Sequence, residues 1–203
     1  VGVCILASLS SAQGSTQLGP IVQVDDDFGP GTPGWQVWRF ATLQSGVNAV
    51  PSGGAVIVFA GDYAEDVVID RPMRVRANVK HAPRLLGAGG ASAVNVLVEG
   101  VTLEGLAFEV PGRQAVTLRA GSATLRDNRG PGLLRIEPGA SDNVLLDNEL
   151  VGVSVGSASS GAAFSRRNRI EGNQLVVMAL SRSSHNLVRG NHIAAGGNTA
   201  LGL

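Results

Sequence analysis

From residue 54 onward the chain alternates short aliphatic runs with Gly, Asp and Asn. Three stretches share one pattern: "NVLLDNEL" at 143–150, "NRIEGNQL" at 168–175 and "NLVRGNHI" at 186–193. Aligned on the recurring Asn, they extend to a column of Leu106, Asn128, Asn148, Asn173 and Asn191, with spacings of 22, 20, 25 and 18 residues. Three places earlier stand Leu103, Leu125, Leu145, Ile170 and Val188, all aliphatic. Two places later stand Phe108, Gly130, Leu150, Leu175 and Ile193. The residue just before the column is Gly105, Asp127, Asp147, Gly172 or Gly190, types that tolerate left-handed backbone angles. Each period therefore predicts a strand, a sharp turn and a second strand. One such unit cannot bury its own apolar face, but stacking units at about 4.8 Å pairs every strand with those above and below. This predicts an all-β parallel β-helix of roughly seven coils over 54–203, a rod about 35 Å long. A leucine-rich repeat shares the "LxLxxNxL" element, but it also requires an earlier LxxL and a helical return in each repeat, and neither is present.

Ahead of the repeats the pattern changes. "FATLQSGVNAV" places Phe40, Leu43, Val47 and Val50 on one helical face, ended by Pro51 and "SGG". "AVIVFAG" follows as a strand, with Tyr63 and Glu65 in the turn region beyond it. The domain layout expected is a leader remnant at 1–12, a linker and N-terminal segment at 13–38 rich in Gly, Pro and Asp, and a β-helix at 39–203. The end of the chain, "TALGL", reads as an uncapped strand, so further coils are expected beyond it.

Stacked in register, Asn128, Asn148, Asn173 and Asn191 form one inward row. An amide offers two donors and an acceptor, so such a row can bond the backbone freed at the turn and its own neighbours. A structural ladder explains the residue type, the period and the flanking Gly or Asp together, and it places function elsewhere.

Composition agrees with this picture. A chain of 203 residues, 44% hydrophobic, with 28 Gly and only 4% aromatic residues, suits many short strands and tight turns. Sixteen basic and sixteen acidic residues cancel, which gives no electrostatic reason for a nucleic-acid partner. The opening "VGVCILASLSSAQG" is apolar and then small, with Ser10 and Ala12 at the −3 and −1 positions of a signal-peptidase site. It predicts an exported protein, secreted, periplasmic or at the cell surface, with no transmembrane span in the mature chain. Cys4 lies within that leader, so the mature chain has no disulfide and must rely on its own core.

The segments "VDDDFGPGTPGW" and "FATLQSGVNAVPSGGAVIVFAGDYAEDVVI", with the N-x-(I/L/V)-x-(G/D)-N-x-(I/L) repeats, resemble the secreted right-handed parallel β-helix proteins of the pectin-lyase-like superfamily. The resemblance runs from about residue 23 to the end and implies that the helix at 40–50 plugs the N-terminal end of the solenoid. Gly61, Tyr63 and Glu65 resemble the early G-x-Y-x-E motif of pectin methylesterases, shared so widely that it marks the first coil rather than a reaction. The esterase contexts resembling QAVAL, DFIFG and LGRPW are met only faintly by "RQAVTLRA". The polygalacturonase GHG is replaced by "SSHN", and no calcium and Arg constellation like that of pectate lyases is recognisable.

Two groups of carboxylates remain. Asp127 and Asp147 share a column, which would bring them to about 5 Å, the separation used by retaining glycosidases; the alternative is that Asp fills a turn where other coils carry Gly. Asp25, Asp26 and Asp27 could bind calcium, although consecutive side chains of an extended segment point to opposite sides and calcium loops space their ligands. The His at 81, 185 and 192 and the two Met are too scattered for a soft-metal site. The expected function is a non-catalytic module binding extended polymers such as polysaccharide along the rod. The alternative is a carbohydrate-active lyase, hydrolase or esterase whose site lies partly beyond residue 203. A groove gathering carboxylates with Arg would favour the enzyme.

Overall fold

In the three-residue strands Thr102–Glu104, Thr124–Arg126, Val144–Leu146 and Arg169–Glu171, the middle side chain is fully buried. The alternation of a strand sends that residue to the opposite face from its neighbours, and register stacks these residues in one column. The computed structural model, which describes residues 20–194, carries this column without a break through Val22, Val56, Val75, Leu103, Leu125, Leu145, Ile170 and Val188. Val188 is 40% exposed because its strand, Leu187–Arg189, is the last of this sheet. The stretch at 1–12 read as a leader, with Cys4, and the ending "TALGL" lie outside the described residues.

The strands form a parallel β-solenoid of about 6 turns, somewhat fewer than the seven expected. A first sheet has nine strands, a second has ten, and Ser165–Arg166 pairs with Ser183–Ser184 at a third edge. The first sheet reaches back to Ile21–Val24, inside the stretch read as linker, where it pairs with both Ala55–Val58 and Arg39–Phe40. Phe40 therefore lies on a short strand rather than on the helix, though it is buried as expected.

The helix is Leu43–Ala49, with Thr42 as N-cap accepting from the Ser45 N–H. Its free N–H groups at Leu43 and Gln44 donate to the two carboxylate oxygens of Glu65, at 2.6 and 2.8 Å. A carboxylate at a helix start satisfies orphan donors and complements the helix dipole. Tyr63 is buried and its hydroxyl donates to the Phe59 carbonyl at 3.1 Å. Burial pushes the phenol pKa well up, and the carboxylates of Asp26 and Asp25 push it further. At Gly61 (φ 156°) a Cβ would strike the Asp26 carboxylate, which accepts the Asp62 N–H at 3.0 Å. The G-x-Y-x-E residues thus fasten the helix and the N-terminal strand to the solenoid.

The turn after each of the last five strands of the first sheet is left-handed at the expected residues: Gly105 (72°), Asp127 (57°), Asp147 (51°), Gly172 (67°) and Gly190 (63°). The next residue is the ladder. Each Oδ1 accepts both the backbone N–H and the side-chain Nδ2 of the Asn one coil earlier. Asn148 Oδ1 receives them from Asn128 at 3.1 and 3.0 Å, Asn173 Oδ1 from Asn148 at 2.9 and 2.9 Å, and Asn191 Oδ1 from Asn173 at 2.9 and 2.9 Å. The second Nδ2 hydrogen goes back to a carbonyl of the aliphatic column, Leu125 for Asn148 and Leu145 for Asn173. Asn128, Asn148 and Asn173 are buried with their hydrogen-bonding capacity met.

A second ladder stands five residues earlier. Asn168 Oδ1 accepts from Asn143 N and Nδ2, both at 3.0 Å, and Asn186 Oδ1 accepts from Asn168 at 2.9 and 3.1 Å. These are the first letters of the three recurring stretches. Below Asn143 the column is apolar, Ala123 and then Val101, both buried, and Ala123 N–H donates to Asn143 Oδ1. The two ladders bracket the first sheet at both of its corners.

On the outer face of this sheet Glu104 accepts from Arg74 and from Arg126 (2.7 Å), and Glu171 accepts from Arg169 (2.5 Å) and lies 3.3 Å from Arg189. Partial burial works against the charge on Glu104, but the hydrogen bonds from Arg74 and Arg126 outweigh it and hold its pKa below the ordinary 4.5.

Two outcomes follow. Asn148→Ala is expected to lower stability by about 1–3 kcal/mol, because four bonds in a buried row lose a partner. Asn148→Asp is expected to do no better, since a carboxylate would face the Leu125 carbonyl and Asn173 Oδ1; unchanged denaturant midpoints for both would contradict the ladder. For Glu104 the folded pKa lies below the unfolded one, so its contribution is present above the ordinary carboxylate range and lost as pH falls through the lowered value. Glu104→Gln is expected to reduce stability at neutral pH by about 1 kcal/mol or less, and the difference from the native chain should vanish in acid below the Glu104 pKa, as measured by denaturation at a series of pH values.

Candidate functional site

Because the ladder Asn points inward, the next side chain of each coil emerges outward on the second sheet. These residues are Arg129, Glu149, Gln174 and His192, all exposed and in direct register. Two residues further along stand Pro131, Val151, Val176 and Ala194. Together with Glu109 they line a groove of about 450 Å³ that crosses the coils parallel to the rod axis. Neighbouring rungs are about 4.8 Å apart.

The concavity comes from a local irregularity. In the lower coil the second sheet is interrupted between Ala107–Phe108 and Gln114–Leu118, and Glu109 lies in the connecting segment. In the coils above, the strands Arg129–Ile136, Glu149–Gly156 and Gln174–Ser181 run on for eight residues. The register slips between Gly130 and Leu133, where Pro131 and Gly132 oppose a single residue of the next strand. A bulge of this kind bends its strand. Both flanking glycines are required by close approach: a Cβ at Gly130 would strike the Phe108 carbonyl, and one at Gly132 would meet Ala115 and Val110.

The groove combines an apolar floor with a polar rim. Arg129 and Glu149 are cross-strand neighbours of opposite charge, a stabilising arrangement on a sheet face. Gln174 and His192 add donors and acceptors further along. None of the groove residues was singled out as a site from the sequence, yet their signal is present. They are the variable letter that follows the Asn in each repeat, and the residue two places beyond it.

The two acidic groups singled out from sequence lie elsewhere. Asp127 and Asp147 occupy the same turn of adjacent coils, each in the left-handed region. The Asp127 carboxylate binds the Lys80 ammonium at 2.5 Å, and His81 Nε2 lies 2.6 Å from the Asp127 carbonyl. Lys80, Asp127, Glu104 and Asn78 line a smaller cleft of about 210 Å³. The Asp147 carboxylate lies over Gly172 in the next coil, where a Cβ would collide with it.

For Asp25, Asp26 and Asp27 the expected divergence of side chains does not hold. The Phe28 N–H donates to the Asp25 carbonyl at 3.0 Å, closing a turn in place of extended backbone. One carboxylate oxygen from each Asp then falls within 4.8 Å of the others. The carboxylates also bond the protein itself, Asp25 accepting from the Asp27 N–H and Asp26 from the Asp62 N–H. Three carboxylates are only part of the six to eight oxygens that calcium takes.

Among the described residues no helix is long and apolar enough to cross a membrane. No protein-family model matches the chain, and no curated protein matches it. What the structure does establish is the architecture, a parallel β-solenoid with buried Asn ladders.

Proposed function

We propose that this chain is a non-catalytic module of an exported β-helix protein that binds an extended polymer, such as a polysaccharide, along its rod. The observation that carries this reading is the groove itself. It repeats the same pair of outward positions, a polar rim residue and an apolar floor residue, over four consecutive coils. A ligand that repeats along its length meets a similar environment at each rung. The resemblance to the pectin-lyase-like superfamily and the leader-like opening support export and a carbohydrate ligand.

A second reading, a carbohydrate-active enzyme, is favoured by one observation: Glu109, Glu149, Arg129 and His192 share this groove, the residue types that acid and base chemistry needs. Against it, Arg129, Glu149 and His192 are all exposed to solvent, whereas catalytic groups are commonly enclosed in a site that excludes water.

Val176 lies in the floor and is 45% exposed, so it can be replaced without disturbing the core. Neutral β-linked oligosaccharides of increasing length are expected to bind with affinity that rises until the oligomer spans the groove. Val176→Glu is expected to weaken that binding by about tenfold or more, roughly 1.4 kcal/mol, with an unchanged circular dichroism spectrum. Length-independent binding that Val176→Glu does not alter would refute the groove as the site. Release of new reducing ends by the native chain, abolished by Glu149→Gln in folded protein, would establish the enzyme instead.

A further inference from the structure

The outer face of the first sheet carries a different chemistry from the groove. One outward row holds Arg39, Arg76, Arg126 and Arg189, and the other holds Arg74 and Arg169. The glutamates of these rows, Glu104 and Glu171, lie beneath the arginines: their side chains are 21% and 10% exposed, against 44% for Arg74 and 72% for Arg189. Glu104 is occupied by Arg74 and Arg126, so Arg76, its neighbour in register, makes no ion pair among the described residues. Nor does Arg39, which donates to the Gln23 amide oxygen and the Pro33 carbonyl. At the adjoining corner Asp26 is turned to the Asp62 N–H of the second sheet and Asp127 to Lys80, while Asp147 makes no ion pair among the described residues. Solvent therefore meets a flat array of guanidinium groups. From the strand of Arg39 to that of Arg189 the nine-stranded sheet runs eight intervals, about 38 Å at the coil spacing.

The end of this face nearest the helix adds exposed apolar groups. The Arg39 guanidinium lies over the Trp38 ring, 4.1 Å from its centroid, which places the indole at the rim of the face. Trp38 is 39% exposed and the adjoining Val37 is 73% exposed. Their loop is fixed, because the N–H groups of Val37, Trp38 and Arg39 all donate to the Gly34 carbonyl, at 3.0, 3.0 and 3.1 Å. Ile21 and Leu187, each 49% exposed, share a row with Arg74 and Arg169, and Leu146 stands between Arg126 and Glu171. We infer that this face seats on an anionic lipid surface, with its arginines on the headgroup phosphates and with Trp38 and Val37 entering the boundary between headgroups and acyl chains. Guanidinium presents a planar fork that takes two phosphate oxygens at once. Basic clusters are drawn to anionic membrane surfaces, and an indole settles where water meets hydrocarbon. Single-stranded nucleic acid is the less fitting polyanion, because it is held by stacking its bases on aromatic faces, and one face of Trp38 is already covered by Arg39. The aliphatic side chains among the arginines suit lipid and offer nothing to a base. The inference is independent of the groove, which lies on the other sheet.

The test is co-sedimentation of the chain with vesicles of phosphatidylglycerol and phosphatidylcholine in equal parts, at low and moderate salt. Vesicles of phosphatidylcholine alone, soluble glycerophosphate and single-stranded DNA serve as comparison ligands. Partition into the mixed vesicles is expected to fall with salt and to be absent from the neutral ones, and glycerophosphate should not compete for it. Arg76→Glu, which removes no internal ion pair, is expected to weaken partition by about tenfold or more with an unchanged circular dichroism spectrum; Arg76→Gln should fall between it and the native chain. Arg135→Gln, on the second sheet, and Val176→Glu, in the groove, are expected to leave partition unchanged. The chain has two Trp, so Trp35→Phe leaves Trp38 as the reporter, and its emission is expected to shift to the blue on the mixed vesicles. Native partition in Arg76→Glu would overturn the proposal, as would equal partition into neutral vesicles or binding without a Trp38 shift. Competition by glycerophosphate would reduce the face to a site for free phosphate. Tighter binding of DNA, lost in Arg76→Glu, would replace the lipid surface with nucleic acid. Loss in Val176→Glu alone would move the contact to the groove.

Discussion

A solenoid coil must turn a corner after every strand, and each corner takes backbone N–H groups away from the ladder of strands. Inside an apolar stack such a group costs free energy unless it finds a partner. Here, in the upper coils, the partner is supplied by one Asn per coil at each of two corners of the first sheet. Where an Asn stands in the coil below, each Oδ1 collects its backbone and side-chain donors, whereas Asn128 and Asn143 at the foot of each ladder collect a backbone donor alone, and Asn148 and Asn173 also return a hydrogen to the aliphatic column. The amides thereby tie three coils together. A slip of one residue would cost bonds at each rung and turn the aliphatic column outward at the same time.

The outer surface follows from this constraint. With the Asn fixed inward, the residue after it is fixed outward, so Arg129, Glu149, Gln174 and His192 become a row in register. On the other side of the corner, the residues flanking Leu103, Leu125 and Ile170 become the arginine and glutamate rows of the first sheet. One internal device therefore yields two surfaces of different character, a mixed groove and a cationic face, both running along the rod.

The lower coils use other means to the same end. Where Asn gives way to Leu106, Val101 and Ala123, burial is apolar and the corners rest on Gly and on the next Asn above. At the N-terminal end the helix is held by Glu65, and Asp26 lies against Gly61. Carboxylates and a phenol that could pass for a reactive cluster are engaged in backbone hydrogen bonds. Their chemistry is that of fastening.

The aliphatic column, the left-handed residue and the Asn were legible in the sequence because each reflects the direction of a side chain along its own strand, and that direction has a fixed period. Part of the second ladder hid in plain sight. Asn143, Asn168 and Asn186 repeat like the first ladder, but their column begins with Val101 and Ala123, so it does not read as polar over its full length. The groove was not legible as a shape, although its rim residues occupy a readable position. It depends on the bulge at Pro131 and Gly132 and on the interrupted strand in the coil below. Likewise the bonds from Glu65 to the helix, the convergence of Asp25, Asp26 and Asp27, and the pairing of Asp127 with Lys80 arise from loop paths. The sequence by itself determined which side chains face in and which face out. Which outward residues meet is settled only in the folded chain, because neighbours on adjacent coils, in the Asn ladders 18 to 25 residues apart, are brought together by the lengths and bends of the intervening loops and not by the strand period.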